Sequence, residues 1–166
     1  MNMQDLTKYG ISLLLCIALL VSCKPEPEAS FILNDVELYP SSAGKTKEKT
    51  NEQFVAILHA NLFQTALSAN DVYDVNRCIE SIGDKELARE VIISNFMNDP
   101  AVQLPSVEEM NADIEQFIED TYVRFYVRFP TEAEKTYMKN FIENNPYVTP
   151  EIVYFSFALS DEYMYY

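Results

Sequence analysis

The sequence predicts an all-α domain of six helices arranged as two related three-helix units, and three observations carry that prediction. From Thr50 onward, side chains that cap helices recur just ahead of apolar residues spaced three or four apart. Beyond residue 22 the glycines are Gly44 and Gly83 alone, so the tight primed turns that close β-hairpins are scarcely available. The third is a near-repeat: caps and core residues of the first half recur in the second at a constant spacing.

The helices follow in order. Thr50 with Gln53 forms a capping box, and Phe54, Ile57, Leu58 and Leu62 mark the buried face of the first. Ser68 and Asp71 open the second, with Val72, Val75, Ile79 and Ile82 inward. Asp84 caps the third, which contains Ala88, Val91, Ile92 and Phe96 and stops before Pro100. Ser106 and Glu109 begin the longest, running toward Phe129 with Met110, Ile114, Phe117, Ile118, Tyr122 and Phe125 inward. Thr131 and Glu134 cap the fifth, with Tyr137, Met138, Phe141 and Ile142. Thr149 caps the sixth, where Pro150 falls in the first turn and its missing N–H costs nothing; Ile152, Phe155 and Leu159 are expected inside.

The repeat has a spacing of 63: Glu52, Gln53 and Phe54 recur as Glu115, Gln116 and Phe117, Ser68 as Thr131, Ile79 as Ile142 and Glu80 as Glu143. A two-residue deletion then brings Glu90, Val91, Ile92 and Phe96 onto Glu151, Ile152, Val153 and Phe157. The units cover about 50–100 and 106–166.

Ahead of the domain, Lys8 precedes an apolar run from Ile11 to Val21, shorter than the roughly 20 residues a spanning helix needs. Leu20, Val21, Ser22 and Cys23 match the lipobox of bacterial lipoproteins. That resemblance implies a signal peptide over residues 1–22, with Cys23 as the acylated first residue of the mature chain. Lys24, Pro25, Glu26, Pro27 and Glu28 read as a solvated tether, and a lysine beside the cysteine resembles lipoproteins sent on to an outer membrane. The lysine followed by acidic residues also resembles the surface-export signal of Bacteroidota lipoproteins. Phe31 to Tyr39 is expected to be a short docking segment and Ser41 to Lys49 a flexible linker, so that tether and linker span 23–49 and the helical domain 50–166.

In the second unit, Tyr122, Arg128, Pro130, Thr131 and Glu134, with the ending Ser160, Asp161, Glu162 and Tyr163, resemble a helical module of secreted and cell-envelope proteins of Bacteroidota and Planctomycetes. The resemblance implies a fold and no particular chemistry. Thr65 and Asp71 stand at the equivalent places in the first unit, so the arginine is confined to the second. Arg128 lies six residues before Glu134, and the turn through Phe129 and Pro130 can bring them together; Arg128 is expected to clamp this corner.

Composition narrows the chemistry. A net charge of −14 repels phosphate backbones, which argues against nucleic acid. His59, the single histidine, aligns with Tyr122 beside the buried stripe, so a packed or hydrogen-bonded ring is expected rather than a general base. With Cys23 lipidated, Cys78 is alone in the mature domain and is read as a buried small hydrophobe; the pair His59 and Cys78 cannot make a zinc site. Glu108, Asp113, Glu115, Glu119 and Asp120 read as a solvated face without calcium-loop spacing. No cofactor motif, phosphate loop or haem attachment occurs in the sequence.

Two functions from different classes remain open. One is a lipid-anchored, non-enzymatic interaction module of an outer-membrane or surface complex, bound to the membrane through Cys23 and to an envelope protein partner through Tyr163, Tyr165 and Tyr166. The other is a hydrolase using two carboxylates on an envelope or extracellular glycan.

Overall fold

Caps decide where the helices start. In the computed structural model, which describes residues 38–40 and 44–166, Thr50, Ser68, Asp84, Ser106, Thr131 and Thr149 each accept a hydrogen bond from the backbone N–H three residues on. The signal peptide, Cys23, the tether at 24–30 and the segment from Phe31 to Glu37 lie outside the described residues.

Among the described residues there are seven α-helices: α1 Asn51–Phe63, α2 Ala69–Ser81, α3 Lys85–Met97, α4 Val107–Ala112, α5 Ile114–Tyr126, α6 Glu132–Asn144 and α7 Pro150–Leu159, followed by a 3₁₀ turn, Asp161–Met164. Among the described residues there is no β-sheet, only two isolated bridges. None of these helices is long and apolar enough to cross a membrane.

The seventh helix arises because the long run expected from Ser106 to Phe129 is cut at Asp113. Its backbone leaves helical geometry (φ −151°, ψ 86°) and its side chain caps α5 through the Gln116 N–H. Asp113 lies 63 residues after Thr50, so the break repeats the cap that starts α1.

The duplication is visible in the backbone. Helices α1 and α5 have 13 residues each, as do α2 and α6, all in the 63-residue register. Both α1 and α5 end on a left-handed residue, Gln64 at φ 57° and Val127 at φ 55°, whose N–H bonds Ala60 and Val123. In the third helices the caps Asp84 and Thr149 stand 65 apart, an insertion of two rather than the expected deletion. The two registers differ by one helical turn and leave nearly the same face inward, which is why the residue pattern could not separate them.

Helix α2 packs on α1 and on α3, closing the first unit. In the second, α5 carries both α6 and α7, but α7 packs on α3 of the first unit instead of on α6. Its buried residues are accordingly Val153, Tyr154, Phe157 and Ala158, while Ile152 and Leu159, expected inside, are exposed. On α6 only Ile142 is fully buried; Tyr137 and Phe141 face out. On α3 the buried residues include Ile93 and Met97, and Val91 is exposed. Each of these faces is rotated by where α7 goes, a long-range event.

The N-terminal segment belongs to the domain. Residues 44–49, expected as linker, run antiparallel to the chain end: Tyr166 N–H donates to Lys47 O at 2.8 Å, Thr46 N–H to Tyr166 O at 3.1 Å, and Lys49 N–H to Met164 O at 2.8 Å. Tyr39 pairs beside Arg128, its N–H donating to Val127 O at 2.9 Å. Lys49 is buried and its ammonium donates to the carbonyls of Tyr163 and Tyr165.

Candidate functional site

Two features of the second unit adjoin each other: a charged corner and an apolar groove, with Tyr122 and Tyr126 contributing to both. The corner starts with α6, where Thr131 and Glu134 form a reciprocal capping box: Thr131 N–H donates to Glu134 Oε2 at 2.7 Å and Glu134 N–H to Thr131 Oγ1 at 3.3 Å. Pro130, buried just before the cap, sets the chain's entry into the helix. Arg128, just past the left-handed Val127, points its guanidinium back at this box. Its Nη1 and Nη2 donate to Glu134 Oε2 and Oε1 at 3.0 and 2.8 Å, and Nη1 donates to Phe129 O at 3.1 Å. Its other edge holds a second carboxylate, Nε and Nη2 each donating to Glu162 at 2.7 Å.

The guanidinium is therefore forked on both sides, the geometry in which arginine binds carboxylates most strongly. It also lies over the rings of Tyr122 and Tyr126, 5.1 and 5.6 Å from their centroids. Lys45 approaches Glu162 at 3.5 Å, so two cations face two carboxylates. Arg128 holds the Glu134 carboxyl down to about 2, opposed by burial and helped by the Thr131 bonds. Hydrogen bonds to Glu162 and then Glu134 lock the Arg128 charge in place. Burial pushes the phenols of Tyr122 and Tyr126 up, Tyr126 to about 12 although its hydroxyl donates to Ser160 Oγ at 2.7 Å. Burial, then the Lys45 charge, lowers Lys49 to about 8.

The groove opens between α6 and α7 because α7 has left its neighbour. It is about 320 Å³, floored by Tyr122, Tyr126 and Phe157 and walled by Tyr137, Met138 and Phe141 on one side and Ile152, Val153 and Ser156 on the other. Tyr137 is 69 % exposed, Ile152 48 % and Phe141 40 %. At the positions 63 residues earlier than Tyr137 and Phe141 the first unit carries Asp74 and Cys78. A helix of this register folds without aromatics there, so their exposure is no requirement of the scaffold.

The tyrosine trio at the chain end is divided by the structure. Tyr163, expected at an interface, is fully buried: its ring meets Phe54 of α1 edge-on at 6.0 Å and Phe125 of α5 at 5.7 Å, and its hydroxyl accepts from Asn61 Nδ2 at 3.0 Å. It is a core residue joining the two units, since the 3₁₀ turn folds it inward. Tyr165 is exposed, while Tyr166 is half-buried with its backbone paired to the N-terminal segment. Cys78, expected to be buried, is exposed, because α2 turns Ile79 rather than its neighbour to the core. His59 stacks on Phe63 at 4.4 Å, and its Nδ1 lies 3.0 Å from the Thr65 carbonyl, which makes that nitrogen the protonated one.

An open cleft of about 480 Å³ along α4 and α5 contains Glu109, Asp113 and Asp120. Each serves the helices: Glu109 accepts from Ser106 N–H at 2.7 Å, Asp113 from Gln116 N–H at 3.0 Å, and Asp120 from Gln116 Nε2 at 2.8 Å.

Lys45 and Lys49 carry no local signal as site residues, since their partners lie far off in the chain, and Glu162, which stands in the same motif as Arg128, has no spacing that pairs the two. The groove was hidden because Tyr137, Phe141 and Ile152 fit an inward helical pattern. No known protein family, no curated protein and no solved structure matches this chain.

Proposed function

We propose that the protein is a lipid-anchored component of the bacterial cell envelope, held at an outer membrane through Cys23, whose helical domain acts as a non-enzymatic interaction module. The anchor rests on the Leu20–Val21–Ser22–Cys23 sequence and the solvated stretch behind it. The interaction role rests on one observation, the groove between α6 and α7, where Tyr137 and Phe141 stand open at positions that the sister unit fills with aspartate and cysteine. The carboxylates of the α4–α5 cleft, tied to caps and to a neighbouring glutamine, lend the hydrolase reading no comparable support.

Cys23→Ala should abolish incorporation of an alkyne-labelled fatty acid and leave the precursor uncleaved; persistent labelling removes the anchor. A photoreactive amino acid at position 141 should give a discrete crosslinked protein adduct in native membranes, and the same group at position 78 should not. Equal crosslinking at both sites, or none at 141, removes the interaction module.

A further inference from the structure

The groove has a template within the molecule. In the first unit α3 lies against α2; in the second the corresponding helix, α7, is drawn away to α3 and leaves α6 packed on α5 without a third helix packed against it. What the fold omits at this place is a helix. The opening of about 320 Å³ has an aromatic and aliphatic lining with only Ser156 as a short polar member, suited to the anchors an amphipathic helix presents at i, i+3 or i+4 and i+7.

Charge narrows the occupant. Lys135 and Lys139 on α6 are turned toward α5, where they pair with Glu119 and Glu115. Glu143, two residues after the lining residue Phe141, and Glu151, directly before the lining residue Ile152, are both exposed. The chain as a whole carries −14, which opposes a second copy of itself and an anionic bilayer.

We infer that the groove between α6 and α7 receives an amphipathic helix of another polypeptide, with lysine or arginine flanking its apolar stripe, and that this helix takes the place α3 holds against α2. The inference rests on the interaction reading above and names the chemistry of its partner.

The test uses the full chain in phosphatidylcholine nanodiscs, with empty nanodiscs as reference. Three labelled peptides of ~18 residues, about five helical turns, are titrated: an amphipathic leucine–lysine helix, a scramble of the same composition, and a leucine–glutamate helix. The first should bind saturably, about tenfold or more tighter than the other two. Tyr137→Asp with Phe141→Cys, which copies the first unit, should weaken it about tenfold or more despite the added negative charge. Equal binding of the scramble, insensitivity to the double substitution, or preference for the acidic helix would overturn the inference. So would self-association of the full chain that Phe141→Cys removes, or protection of α6 amides by phosphatidylglycerol nanodiscs, which assigns the groove to a bilayer. If no peptide binds while position 141 still crosslinks to a protein in membranes, the helix is wrong and the interaction module stands; if both fail, both are wrong.

Discussion

The two three-helix units make the same corner by different means. In the first, Ser68 caps α2, its hydroxyl donates to Asp71 at 2.6 Å, and Thr65 precedes them with no ion attached. In the second, Thr131 and Glu134 repeat that arrangement, but Arg128 replaces Thr65 and joins Glu134 to Glu162 in the last turn of the chain. The first unit shows that the corner forms without an arginine. What Arg128 adds is the attachment of the 3₁₀ turn, and through Lys45 and Lys49 the N-terminal segment, to the second unit. The resource differs as well as the outcome: one unit closes with its own third helix, the other lends that helix away and is bound up by the chain ends.

The largest expected effect is at the residue shared by both units. Tyr163→Ser should cost about 3–5 kcal/mol in urea unfolding, because it empties the contact between α1 and α5 and strands Asn61. Tyr165→Ser should change stability by less than about 0.5 kcal/mol. Equal small losses would return Tyr163 to the surface.

Next is Arg128→Thr, which installs the first unit's residue. It leaves two carboxylates facing each other and should cost about 2–4 kcal/mol, less than a fully buried pair because both glutamates keep partial access to water. Amide exchange at Thr46, Lys49 and Tyr166 should accelerate while α2 is unaffected. Acceleration confined to the α5–α6 turn would show that the arginine serves the corner after all.

The same pair sets an acid limit. Glu134 titrates at about 2 in the fold against an ordinary value of 4.5, so its contribution is complete above 4.5 and disappears as pH falls from there through 2. Chemical unfolding at a series of pH values should show this decline in the wild type and a flatter profile in Arg128→Thr. Lys49 has the same sign of dependence in a higher window: lowered to about 8, it leaves the folded chain less protonated than the unfolded one between about 8 and 10.5, so stability from this group rises with pH across that window. Lys49→Met should remove the rise.

The smallest effect concerns the paired left-handed residues. Gln64→Gly should stabilise by about 0.5–1 kcal/mol, since glycine occupies that region without a Cβ penalty. Val127→Gly relieves a β-branched residue in the same geometry, and the gain there is offset by the loss of its half-buried side chain. Destabilisation at Gln64 by more than about 0.5 kcal/mol would mean its side-chain bonds to Ala60 and Asn61 outweigh the backbone term.

Local signals were legible and long-range ones were not. Thr50, Ser68, Asp84, Ser106, Thr131 and Thr149 cap because the hydrogen bond closes within three residues, and sequence displays both partners. Asp113 was legible too, since the repeat maps it onto Thr50; the apolar spacing of Met110, Ile114 and Phe117 masked it. Arg128 and Glu134 sit one turn apart and could be paired by spacing. Glu162 and Lys45 could not, being brought there by the return of the chain end. The orientations of Tyr137, Phe141 and Ile152 depend on α7 choosing α3, a decision that no helical period encodes.

The pairing of residues 46–49 with 164–166, and the burial of Tyr163 between the units, also order events in time. A strip whose backbone hydrogen bonds go to residues more than a hundred positions later cannot settle until those residues have been synthesised. Single helices can form early, but the joint between α1 and α5 is incomplete until Tyr163 is in place. The strip 46–49 and residues 164–166 thus become ordered together, each supplying the other's backbone partners.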